Sequence, residues 1–159
     1  MNNETAVSGD RSAVEVALLV LRVIVGVIFA THGSAKLFGA FGGPGLAEMV
    51  KMMGPIGYLV TIGEFFGGLG LIVGFLCRFS AGSLIVIMIG AIAMVHGKNG
   101  FFLGSGPDST LSGAGFEYNL ALIGLLAPIL ICGPGRFAIG RFLPLPKSVR
   151  MGRTIVVLE

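Results

Sequence analysis

The chain has 159 residues, of which 54% are hydrophobic and 12% charged, with 27 glycines, no tryptophan and a formal net charge of +3. Soluble domains carry about 25% charged residues and about 7% glycine, so an ordinary soluble fold is excluded. A chain this apolar and this weakly charged also collapses rather than staying disordered. The composition is that of an integral membrane protein. The expected fold is all-α: a four-helix membrane bundle of antiparallel spans with a short interfacial helix between spans one and two.

In chain order, residues 1–12 form a polar N-terminal segment whose stretch from Met1 to Asp10 has no Lys or Arg, which argues against a cleaved secretory signal. A membrane bundle is expected over residues 13–135. A span needs roughly 20 apolar residues, and the first runs over 13–38 with Arg22 inside it. The breaker cluster 39–45 follows, and then 46–53 repeats apolar residues at helical spacing, as expected of a helix lying on the membrane surface. The second span, 55–77, contains Glu64 as its only charge, and Arg78 makes a tight turn into the third, 79–96, which His96 closes. Residues 97–116 are rich in Gly, Ser and Asp and are long for a structureless loop, so they form a candidate lid. The fourth span, 117–133, is short and contains Pro128, and a basic tail, 136–159, ends the chain. Cys77 and Cys132 have no metal or redox spacing and read as small apolar residues at helix ends.

Four spans put both termini on one side, with Arg11, Arg78, Arg136, Arg141, Lys147, Arg150 and Arg153, against Lys36, Lys51 and Lys98 on the other. The excess places both termini in the cytoplasm. The i,i+4 pairs Gly63/Gly67 and Gly70/Gly74 allow another helix to approach the second span closely and mark it as the centre of the bundle.

Polar residues inside such spans are the functional candidates. Counted from the start of each span, Arg22 and Glu64 both lie about 14 Å deep, near the midplane of a core of about 30 Å, and are expected to form a buried pair. A second group gathers at the outer boundary: His32 and Lys36 end span one, His96 ends span three with Asn99 following, and Glu117 and Asn119 open span four. His32, His96 and Glu64 are the candidate catalytic residues, because imidazole and a desolvated carboxyl exchange protons. Arg22, Lys36, Asn99, Glu117 and Asn119 are the candidate substrate-binding residues. A haem between His32 and His96 is disfavoured, since only one histidine comes from each of two helices and both lie at helix ends. The absence of HxxxH or ExxH spacing leaves no metal site to expect.

These residues stand in motifs. Leu21-Arg22-Val-Ile-Val-Gly26 leads to His32-Gly-Ser-Ala-Lys36-Leu-Phe-Gly, followed by Phe41-Gly-Gly-Pro-Gly and Gly63-Glu64-Phe-Phe-Gly-Gly-Leu. Arg78, His96-Gly-Lys-Asn-Gly-Phe-Phe102, Glu117-Tyr-Asn119-Leu-Ala-Leu and Gly133-Pro-Gly-Arg136 complete the series. In order and spacing over residues 15–140 the chain resembles the DoxX family of small bacterial inner-membrane proteins. The resemblance implies a four-helix, multi-pass protein of the bacterial inner membrane. It also implies an association with quinol oxidases, thiosulfate:quinone oxidoreductases and thiol homeostasis.

Two functions are therefore expected as alternatives. One is a component, possessing or lacking its own catalysis, of a quinone-linked membrane redox system, with a polar pocket at the outer membrane face. A quinone is then the candidate cofactor. The chain carries no haem, flavin or iron–sulfur motif, so other membrane redox subunits are the expected partners besides the lipid bilayer. The other is a non-catalytic accessory subunit that stabilises a larger respiratory or photosynthetic membrane complex. Nucleic acid is not expected as a partner of either.

Overall fold

A computed structural model describes residues 3–103 and 114–141. The central part of the candidate lid, 104–113, and the tail 142–159, with Lys147, Arg150 and Arg153, lie outside the described residues. Among the described residues there are five α-helices and no strand: α1 (Asn3–Phe38), α2 (Gly45–Met53), α3 (Ile56–Val73), α4 (Cys77–Ala91) and α5 (Glu117–Cys132). Three helical stretches are long and apolar enough to cross a membrane: Arg11–Phe38, Ile56–Val73 and Cys77–Asn99. Helix α5 is apolar but has 16 residues, and it runs on through Pro128.

Breaks fall where the backbone turns left-handed. Gly39 (φ 71°) ends α1, Gly54 (φ 62°) separates α2 from α3, and Gly74 (φ 80°) ends α3 while donating its N–H to the Gly70 carbonyl. Glycine holds these conformations without the Cβ clash that penalises other residues. Leu76 takes the same region (φ 47°) to start α4, so the turn between α3 and α4 is as tight as the sequence predicts. Helix α4 ends in a π-helical turn, Ile92–His96, and a 3₁₀ turn, Gly97–Asn99. The wider turn was not legible in the apolar pattern of span three.

Helix α1 packs on α3, α3 on α4, α4 on α5 and α5 on α1, while α2 lies against α3 and α1. Glycines set the closest approaches. A Cβ on Gly33 would overlap the backbone of Phe65, and one on Gly68 would overlap the backbone of Ala30. On the other side of α3, Gly67 faces Leu84 and Gly63 faces Ile87, as the predicted glycine face requires. The interior is filled by Val25, Phe29, Leu71, Leu84, Leu122, Leu126 and Ile129. Since lipid tails are as apolar as leucine, this core stabilises the bundle through close contact rather than through removal from water.

One expected contact is absent. Arg22 and Glu64 do not pair, because hydropathy marks where apolar residues begin and not where the helix does. Helix α1 starts at Asn3, well ahead of the apolar onset, and the α1/α3 register follows from Gly33 on Phe65 and Gly26 on Gly68 and Ile72. Glu64 thus lies level with residues 33–36 of α1, about 18 Å along the helix from Arg22. Arg22 instead meets the opposite end of α3.

Candidate functional site

The buried stripe of α3 consists of Gly57, Thr61, Glu64, Gly68 and Leu71. Two of its five positions are polar, in a helix that is otherwise almost wholly apolar. A carboxylate taken out of water needs a counter-charge or a proton. Lys36 supplies the charge. Its ammonium donates to both carboxylate oxygens of Glu64, at 2.6 Å (Oε1) and 2.5 Å (Oε2). The Glu64 side chain is 3% exposed and that of Lys36 25%, so the pair is sealed on the glutamate side and opens outward along the lysine.

Around this pair the last turns of α1 bring His32, one turn before Lys36 and half-buried, with its ring 6.4 Å from that of Tyr118 on α5. Asn119, also on α5, is buried and directs its amide Nδ2 to the Met88 sulfur at 3.5 Å. Thr61 is wholly buried, and its hydroxyl oxygen has no hydrogen-bond partner. His32, Lys36, Glu64 and Asn119 are thus held in the half of the bundle that carries α2. Thr61 was missed in the sequence, although its i,i+3 spacing from Glu64 on one helix face was a readable signal.

His96, Asn99 and Glu117 do a different job. The carbonyl of Ala114 lies 2.9 Å from His96 Nδ1 and accepts from Asn99 Nδ2 at 3.2 Å, while Glu117 Oε1 accepts the Leu103 N–H at 2.7 Å. Backbone bonds from Gly115 to Phe102, from Phe116 to Gly100 and from Glu117 to Phe101 complete the fastening. These residues therefore clamp the two ends of the 97–116 loop together. Of the six outer-boundary candidates, His96, Asn99 and Glu117 serve the loop clamp, Lys36 holds Glu64, His32 lies one turn from Lys36 beside Tyr118, and Asn119 bonds to Met88.

Arg22 is excluded from the Lys36–Glu64 layer by position. Its Nη1 donates to the Leu71 and Ile72 carbonyls at 2.9 and 3.0 Å, and its Nη2 to the Phe137 carbonyl at 2.7 Å. The last carbonyls of a helix have no intrahelical partner and carry partial negative charge, so a guanidinium there satisfies both needs. Arg78 does the same for α5, donating to the Ile131 carbonyl at 2.7 Å. Cys77 is buried beside this end, Cys132 is exposed, and neither is in a disulfide.

An all-helical bundle with several membrane-crossing helices and a charged pair held between two of them is a polytopic membrane protein, and comparison with known sequences narrows the class. The chain belongs to the DoxX family, as its motifs indicate: the family model described as DoxX matches residues 17–97. It is also similar to the Inner membrane protein YqjF of Escherichia coli (strain K12), with 31% identity over 133 residues that cover 81% of this chain and 93% of that protein. No solved structure matches it. The stretch matched by the family model contains His32, Lys36, Thr61 and Glu64, whereas Asn99, Glu117 and Asn119 lie beyond it.

Proposed function

We propose that the protein is a four-span component of a quinone-linked redox system in the bacterial inner membrane, and that the Lys36–Glu64 layer takes the quinone headgroup. Helix α5 is the fourth span in this reading, and α2 lies along the outer surface. Both termini are cytoplasmic, on the side that collects Arg11, Arg78 and Arg136. The name of the Escherichia coli relative supports the inner membrane as the location. Withdrawal of Lys36 into a buried pair removes one of the three opposing lysines and strengthens the charge bias.

The observation that carries the reading is the ion pair itself. A charge inside the membrane costs roughly 3 kcal/mol on insertion scales, and such residues usually serve chemistry. The residues present fit a carbonyl-bearing ring. The Lys36 ammonium has three donors, of which the glutamate occupies two, and a flexible stem that reaches outward. A bound quinone would supply the redox couple, its quinol form giving up two electrons and two protons on oxidation. Lys36 would donate a hydrogen bond to a ring oxygen, Glu64 would orient the Lys36 ammonium, and His32 on the rim would relay the released protons to the outer face. The electrons' other redox centre would lie in a partner subunit.

The accessory alternative draws on a separate observation. Gly90 on α4 and Gly124 on α5 face open space, where a helix of a neighbouring subunit could approach closely. Purification in mild detergent separates the two readings. Quinone retained with the protein, and lost from Lys36→Ala with partner subunits still attached, supports the redox role. Partners that stay attached and fully active with Lys36→Ala or Glu64→Gln refute it in favour of the accessory one.

A further inference from the structure

The proposed site leaves one group unaccounted for. Thr61 is fully buried and its hydroxyl bonds to nothing, not even to the carbonyl four residues earlier that a helical threonine ordinarily takes. An unpartnered buried hydroxyl costs folding free energy, and valine has the same shape without that cost. The other buried side-chain atom of this kind among the described residues, Arg22 Nε, belongs to a guanidinium already bound to three carbonyls. Thr61 has no such excuse in the resting arrangement.

Its position supplies one. Thr61 and Glu64 are three residues apart on the buried face of α3, within the reach of neighbouring side chains on a helix. In the arrangement described, Lys36 donates to each of the two carboxylate oxygens of Glu64. Should Lys36 turn its ammonium toward a ligand oxygen, Glu64 would lose part of its compensation while still sealed from water. We propose that Thr61 is the alternate partner of Glu64: when Lys36 turns to an oxygen of the bound headgroup, the Thr61 hydroxyl donates to the Glu64 carboxylate in its place. Thr61 is thus a positioning residue that acts through Glu64. The inference rests on the assignment of the Lys36–Glu64 layer as the headgroup site.

The titratable and charged groups on the elements packed against α3 divide between its two ends. Helix α1 brings Lys36 and His32 to the Glu64 end and Arg22, Glu15 and Arg11 to the other, α2 brings the exposed Glu48 and Lys51, and α4 brings Cys77 and Arg78 at the far end and His96 beyond its near end. Only Lys36 touches Glu64. Without Thr61, Glu64 would have no second donor when Lys36 turns to the ligand.

The test uses the full chain in detergent, a short-tailed benzoquinone as the probe, and the variants Thr61→Val and Thr61→Ser. Thr61→Val is expected to melt no lower than the natural protein without quinone. It should bind quinone about tenfold more weakly at neutral pH, the scale of one hydrogen bond to a charged group. Thr61→Ser, which keeps the hydroxyl, should restore the affinity. Equal affinity in Thr61→Val, or no rescue by Thr61→Ser, would overturn the role of Thr61 while leaving the headgroup site intact, and a lowered melting point without quinone would do the same by showing a structural role. A natural protein that binds no quinone would overturn the site assignment and this inference with it.

Discussion

Replacing Lys36 by methionine keeps most of the stem and removes the charge, leaving the Glu64 carboxylate sealed with no counter-ion. Breaking a buried pair in this way costs about 3–5 kcal/mol. Lys36→Met combined with Glu64→Met removes both charges and should recover to within about 1 kcal/mol of the natural protein. Reversible unfolding in mixed micelles measures all four corners of this cycle. A second cycle pairing Arg22→Leu with Glu64→Met should be additive, because the two sites are about 18 Å apart along the bundle. Additive losses for Lys36 and Glu64, or strong coupling between Arg22 and Glu64, would refute the register from which this reasoning starts.

Arg22→Leu should itself destabilise by roughly 2–4 kcal/mol in the same assay, since three carbonyls lose a charged donor, and should speed proteolysis near Phe137. Gly33→Leu should prevent α1 from seating on Phe65 and abolish the folded bundle in detergent. Gly67→Leu should disrupt the α3–α4 contact at Leu84, reducing thermal stability rather than releasing a partner subunit. A reporter active only outside the cytoplasm should be active when inserted at Ser109 and silent when fused after Glu159, and the reverse pattern would invert the proposed orientation. Glu117→Ala should free the Leu103 N–H and raise hydrogen exchange at residues 100–103 without changing quinone affinity, because that carboxylate serves the loop clamp.

The elements were legible in the sequence because each boundary has a local cause. Gly39 opens the breaker cluster that ends α1, Arg78 marks the short connection, and the apolar spacing of 46–53 marks α2, whereas Gly74, expected inside span two as a packing partner of Gly70, instead turns left-handed and ends α3. Side-chain partnership was less legible because it depends on register between helices. The onset of apolar residues misplaced Arg22 relative to Glu64, while the true register resides in Gly26, Gly33 and Gly68, whose closeness to a neighbour only the packed structure reveals. His96, Asn99 and Glu117 come to one end of the bundle, as their positions suggested, yet sequence could not say that they would bond to the backbone of Ala114 and Leu103. The π-helical turn before His96 and the unpartnered Thr61 hydroxyl likewise arise from packing rather than from propensity.

The apolar interior has a consequence for bioenergetics. Phe29, Leu71, Leu84 and Leu126 are between 0 and 1% exposed and lie between the Lys36–Glu64 layer and the Arg22 end. No charged side chain bridges that dry stretch, so a proton leaving the layer has a polar route toward the α2 side and a hydrocarbon barrier in the other direction. Quinol oxidation at such a site would deliver its protons to the α2 side alone. With the α2 side outermost, as proposed, that release would add to the transmembrane proton gradient.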